Sequence, residues 1–158
     1  MFGRRVRRHR SGNYTLRIDD QERLLLEHLI PQLRELLMAT GPSGAVPEAA
    51  RRLFPVAYVD EENLETEYQS LMRDDLLRRR LEQLELLEET LTRDQVSEEE
   101  LDAWIGAVND LRLVLGTRLD VSEEDPPALD PTDPDSAPYA VYLYLGDLLG
   151  ELVAARMD

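Results

Sequence analysis

Residues 97–119 read SEEELDAWIGAVNDLRLVLGTRL, and this stretch decides the fold. Ser97 with Glu100 three residues later forms a capping box, the signature of a helix start. Glu98, Glu99 and Glu100 place negative charge where the helix dipole favours it. From there Leu101, Trp104, Ile105, Val108, Leu111, Leu115 and Leu119 recur at helical spacing, the cleanest amphipathic pattern in the chain. Asn109 and Asp110 interrupt it mid-helix, where both have poor propensity. Asn109 lies one residue past Val108, beside the apolar stripe, and is expected to hydrogen-bond a neighbouring segment. Arg112 and Arg118 are placed to pair with acids on adjacent helices, and Gly106 and Gly116 permit close helix approach. Trp104, Asn109, Asp110, Arg112 and Arg118 therefore read as a polar clamp that fixes a bundle, with a ligand site as the alternative.

Other segments follow the same period. Asp19 and Glu22 form a second capping box, followed by Leu25, Leu29, Leu33 and Leu36 through Met38. Pro31 falls inside this run and should kink or split the helix. A short helix over 47–53, with Pro47 at its first position, precedes an irregular Phe54–Tyr58 stretch. A long helix is expected over 60–91, with Leu64, Tyr68, Leu71, Leu77, Leu81, Leu84 and Leu91 on one stripe. Residues 120–138 hold seven acids and five of the nine prolines without periodicity, and read as a solvated loop. Pro138 starts a last helix that is apolar on most sides and central to the core.

The N-terminus differs from all of this. Residues 1–10, MFGRRVRRHR, carry five arginines and no acid. The formal net charge of −15 thus divides into +5 on this arm and −20 on the remainder. Residues 2–18 alternate as a β-hairpin, with Phe2 and Val6 opposite Arg5 and Arg7, and Tyr14, Leu16 and Ile18 opposite Thr15 and Arg17. Ser11-Gly12-Asn13 supplies the turn. Arg4, Arg5, Arg7, Arg8 and Arg10 are candidates for binding nucleic acid or a protein partner. Inert display, or docking on the chain's own acids such as Glu123, Glu124 and Asp125, are the alternatives. Alternation spreads the charge around the ribbon, and the −20 remainder repels a duplex within about a Debye length.

Several functions find no support. With no cysteine, disulfides, thiolate zinc sites, iron–sulfur clusters and thiol switches are excluded from these 158 residues. No apolar run is long enough to span a membrane, and no apolar region follows the basic start as in a secretory signal, so a cytoplasmic protein is expected. All 18 basic residues are arginine, which a GC-rich bacterial genome explains. His9 and His28 lie in no metal-ligand pattern. The acidic loop lacks calcium-loop spacing. There is no Gly-rich phosphate loop or nucleophile motif. The expectation is a non-enzyme with no cofactor and no metal.

WxxxxNDLRLxLGTRLDV from Trp104, preceded by RRLFPVAYxDE at 51–61, resembles an actinobacterial domain-of-unknown-function family of AosR-like oxidative-stress regulators. The resemblance implies a cytoplasmic regulator of transcription that works with an alternative sigma factor on sulfur-assimilation genes. It also implies gene neighbours of the Clp protease adaptor. The family's redox sensing relies on a cysteine pair in the N-terminal arm. This chain has arginine and histidine there, so that switch is missing.

The expected architecture is mainly α, a helical bundle with a small N-terminal β-hairpin, in a single domain over 1–158. It divides into hairpin (2–18), helical body (19–119), acidic loop (120–138) and C-terminal core helix (139–157). The expected function is regulation by binding, with a sigma factor as protein partner and promoter DNA as a further target. An adaptor or scaffold linked to a Clp-type protease component is the alternative. No membrane partner is expected, and the oligomeric state is left open.

Overall fold

A computed structural model describes residues 4–40, 46–54, 66–120 and 136–158. Strands β1 (Val6–Arg8) and β2 (Tyr14–Leu16) are followed by α1 (Asp20–Met38), a 3-10 helix (Glu48–Leu53) and α2 (Thr66–Thr90). Strand β3 (Gln95–Val96), α3 (Glu98–Arg118) and α4 (Ala137–Met157) complete the described chain. It is the mainly helical bundle with an N-terminal hairpin that the sequence implies, with one addition. The hairpin is two strands of a three-stranded antiparallel sheet, ordered β1-β2-β3. Val6 pairs Leu16, Arg7 pairs Thr15, Arg8 pairs Tyr14, and Tyr14 pairs Val96 on its other side. Two residues are too few to show alternation, so β3 leaves no signal in the sequence.

Both capping boxes form as expected. Asp19 and Ser97 accept from the backbone of Glu22 and Glu100, whose side chains accept from the cap backbones in return. Gly12, at φ 94°, supplies the left-handed residue of the hairpin turn. Pro31 does not split α1, which is continuous over 19 residues. Pro31 is exposed, so the carbonyl it leaves unpaired lies where water reaches it. The buried stripe of α1 is Leu26, Ile30, Leu33 and Leu37, so three of the four leucines read from the sequence lie beside it. Leu71 of α2 is exposed, and the burial there comes from Leu84, Leu87 and Leu91. The short helix at 48–53 is 3-10, and Pro47 is its cap instead of its first residue. Leu64, Pro55–Tyr58 and most of the acidic loop lie outside the described residues, while Tyr68 falls within α2. Helix α4 begins at Ala137, one residue before the Pro138 start read from the sequence.

Helix α3 is central and packs on α4, α2, the 3-10 helix and α1. That position explains its two buried faces. Leu101, Trp104, Val108 and Leu111 form the expected stripe. Ala103, Ala107, Asp110, Val114 and Thr117 form a second, at spacings of three and four. Its small residues admit close neighbours. A Cβ on Gly116 would stand 2.8 Å from Tyr142 Cε1 of α4. The Trp104 indole lies fully buried and donates to Thr90 Oγ1 at 2.7 Å, tying α3 to the end of α2.

Candidate functional site

The arm arginines divide into one that is held inside the structure and others that are displayed. Arg5 is the held one. Its Nε donates to Glu22 Oε1 at 2.6 Å and its Nη1 to Asp147 Oδ2 at 3.0 Å. The same Nη1 also bonds Glu151, whose other oxygen accepts from the Arg5 backbone N–H at 3.2 Å. The guanidinium lies 5.6 Å from the Tyr144 ring centroid. Partial burial opposes the charge on Arg5, yet the bonds from Glu151, Glu22 and Asp147 hold its pKa above the usual arginine range. Burial first, and then the Glu22 charge, push the Tyr144 phenol upward.

Local sequence creates this socket. Glu22 is the third residue of the α1 capping box, so one carboxylate oxygen serves Asp19 and the other serves Arg5. Tyr144, Asp147 and Glu151 follow at spacings of three and four on one face of α4. One guanidinium therefore fastens the first strand to two helices.

The remaining arm arginines point outward. Arg4 and Arg8 reach Asp158, Arg4 at 3.9 Å between exposed groups and Arg8 through the Asp158 main-chain oxygen. Arg7 and Arg10 are exposed, and so is Arg17, the residue after β2, which the sequence reading did not count among the candidates. His9 bonds Thr15 across the hairpin and His28 is exposed. Among the described residues no group of three or more histidines and acids could hold a metal.

The α3 constellation comes together differently from its sequence reading. Asp110, and not Asn109, reaches the neighbouring helix. Asp110 is 1 % exposed and accepts through Oδ1 from Arg80 of α2. Its Oδ2 has no hydrogen-bond partner among the described residues. Burial pushes the Asp110 carboxyl up to about 6, with Arg80 only partly offsetting it. Arg80 also donates from Nε to the Leu53 carbonyl at 3.2 Å and lies 5.8 Å from the Phe54 ring centroid. Asn109 accepts from Arg112 one turn along its own helix, at 3.4 Å. Arg112 bonds the Tyr142 hydroxyl of α4, also at 3.4 Å. Arg118 is exposed in the last turn of α3, where a cation suits the dipole.

Arg80 was missed by sequence reasoning, although a signal existed. It shares a helical face with Leu84, Leu87 and Leu91, and an arginine on a buried stripe needs a partner. Asp147 and Glu151 gave no such signal, because acids abound in the chain.

The fold and its ion pairs define a small helical bundle fastened by arginines, with a basic hairpin displayed on an acidic body. The chain belongs to the family described as Domain of unknown function (DUF2017), which matches residues 3–156. A Mycobacterium leprae protein provisionally named oxidative stress regulator AosR is 32 % identical over 131 residues, covering 80 % of this chain and 58 % of its own. The oxidative stress regulators AosR of Mycobacterium bovis and Mycobacterium tuberculosis are each 40 % identical over 63 residues, 40 % of this chain and 29 % of theirs. The chain thus spans little more than half the length of such relatives at most. The resemblance read from Trp104–Leu119 and the segment before it is borne out. No solved structure matches the chain. No helix among the described residues is long and apolar enough to cross a membrane.

Proposed function

We propose that this chain is a regulatory protein that acts by binding and carries no catalytic centre of its own. The names of its relatives support regulation. The observation that carries the binding reading is the Arg5 socket, which fixes the hairpin on α1 and α4. Arg4, Arg7, Arg8, Arg10 and Arg17 are then displayed from a fixed ribbon instead of a loose tail. A docked surface forfeits less ordering entropy on binding than a disordered one. Its target is the transcription machinery, with a sigma factor as the protein partner. No thiol lies in these 158 residues, so the signal reaches them through other chemistry than thiol oxidation. Trp104, Asn109, Asp110, Arg112 and Arg118 serve the bundle and not a ligand.

The test immobilises the intact protein and passes over it purified RNA polymerase and sigma factors of the source organism. Wild type is expected to retain one of them, and the triple variant Arg7→Glu, Arg8→Glu, Arg10→Glu to lose it. Equal retention by the variant, no retention by wild type, or retention of a protease component instead overturns the proposal.

A further inference from the structure

We infer that the outer face of the three-stranded sheet is a docking surface for a short, extended acidic segment of a protein partner, and not for duplex DNA. The inference rests on the binding role proposed above and names the chemistry of the partner.

The face is set by the register. Val6, Tyr14, Leu16 and Val96 are buried on the inner side. Arg7, Thr15, Arg17 and Gln95 alternate with them and lie outside, with Arg7 paired to Thr15 and Thr15 to Gln95. Arg7, Arg17 and Gln95 are exposed. Arg5 belongs to the same alternation, but its guanidinium is folded into the acidic socket at the sheet's flank. Arg7 and Arg17 are the arginines left on the face.

Their spacing suits an extended chain. Arg17 stands diagonally from Arg7 across the β1–β2 ladder, and diagonal neighbours are about 7–8 Å apart. Alternate side chains of an extended peptide repeat at about 7 Å on one side. Two carboxylates two residues apart can therefore meet both guanidiniums at once, each as a charge-assisted pair.

Charge at longer range excludes the duplex. DNA carries a phosphate charge every ~1.7 Å of its axis and would extend past this small face over the rest of the molecule. That remainder carries −20, and Glu22, Asp147 and Glu151 around Arg5 belong to it. A peptide with a few acids ends before it meets them. Within the ~8 Å reach of unscreened charge at physiological salt, it sees mainly the arginines.

The experiment is fluorescence anisotropy on the intact protein at 0.15 M salt with two probes. One is a labelled five-residue peptide of alternating glutamate and threonine. The other is a labelled 20-base-pair duplex. The peptide is expected to bind at least about tenfold more tightly than the duplex. Arg7→Glu with Arg17→Glu should weaken peptide binding by about tenfold or more, while Arg79→Glu on α2 changes it less than about twofold. Circular dichroism checks that the variants fold. Tighter duplex binding, no measurable peptide binding, or peptide binding indifferent to the Arg7/Arg17 reversal overturns the inference. Sigma-factor retention in the previous experiment would leave the regulatory reading standing in each of those cases.

Discussion

Replacing Arg80 with methionine should destabilise the protein by an amount that grows with pH, because the partner left behind is a buried carboxylate. In the wild type Asp110 titrates at about 6 in the folded state, against an ordinary value of 3.8. The native state therefore binds this proton more tightly than the unfolded chain. The stability that Asp110 contributes is full below pH ~4 and is lost as pH rises through about 6, to the extent of about 3 kcal/mol. Arg80 limits that loss by lowering the Asp110 pKa. Without it the folded pKa climbs above 6, and each further unit of pH up to the new value costs about 1.4 kcal/mol. At pH 5.5 Arg80→Met should lose only the Leu53 bond and the Phe54 contact, about 1–2 kcal/mol. At pH 8 the buried charge adds up to about 3 kcal/mol, within the usual range for a broken buried pair. Urea unfolding read by the fluorescence of Trp104, the only tryptophan, measures both values. Both pH values stand above the isoelectric point near 4.5, which keeps the protein soluble. Asp110→Asn should remove the difference between the two pH values. An Arg80→Met penalty equal at both, or unaltered in the Asp110→Asn background, would refute the reasoning.

Three further outcomes follow from the packing. Gly116→Ala forces a methyl to 2.8 Å from Tyr142, and the ~1–3 kcal/mol of overpacking exceeds the ~1 kcal/mol of helix propensity gained; a rise in thermal midpoint would count against this contact. Arg5→Ala should speed amide exchange over residues 4–18 while leaving α3 protected, and Arg5→Lys should restore little, since an ammonium holds its donors on one nitrogen and cannot span from Glu22 to Asp147 and Glu151 as Nε and Nη1 do. Exchange unchanged in the hairpin would show that Arg5 does not anchor it. Trp104→Phe removes the indole bond to Thr90 and part of a filled core, at a cost of about 2–4 kcal/mol by circular dichroism melting, and a cost under ~1 kcal/mol would be too small for a fully buried side chain.

What the sequence showed and what it hid divide along physical lines. Capping boxes are local, needing two residues three apart, and both Asp19–Glu22 and Ser97–Glu100 formed as read. The hairpin was legible because Tyr14, Leu16 and Ile18 alternate over five residues, whereas β3 spans two. Leu25, Leu29 and Leu36 are apolar neighbours of the α1 stripe, and only the packing partner decides which of the adjacent leucines is central. Asp110 illustrates the deeper limit. A single-stripe reading gives α3 one buried face, so Asn109, next to Val108, looked like the cross-helix contact. The second face of Ala103, Ala107, Asp110, Val114 and Thr117 exists because α3 is surrounded by other elements, and no local pattern states that.

The arginine-only composition, which codon bias explains at the level of sequence, takes on a second meaning in the fold. Arg23 donates to the Leu91 carbonyl at 2.9 Å, just past the end of α2, whose last turn has no cation of its own. Arg34 joins α1 to Glu88 of α2 at 2.6 Å. Arg156 at the end of α4 bonds Asp102 and Glu98 at the start of α3, and the Asp102 bond is the main cause of its raised pKa. Arg5 and Arg80 each use separate nitrogens for different elements, which a point-charge ammonium cannot do from one position. A body with 33 acids repels itself, and these forks offset part of that repulsion where its helices meet over the apolar core. The hairpin is therefore two things at once: through Arg5 it is part of that internal fastening, and through Arg7, Arg10 and Arg17 it presents exposed cations. A partner that engages the exposed arginines meets a surface whose orientation is already fixed at its flank by Arg5, so loosening the socket should weaken binding even though the Arg5 guanidinium is taken up by the chain's own acids.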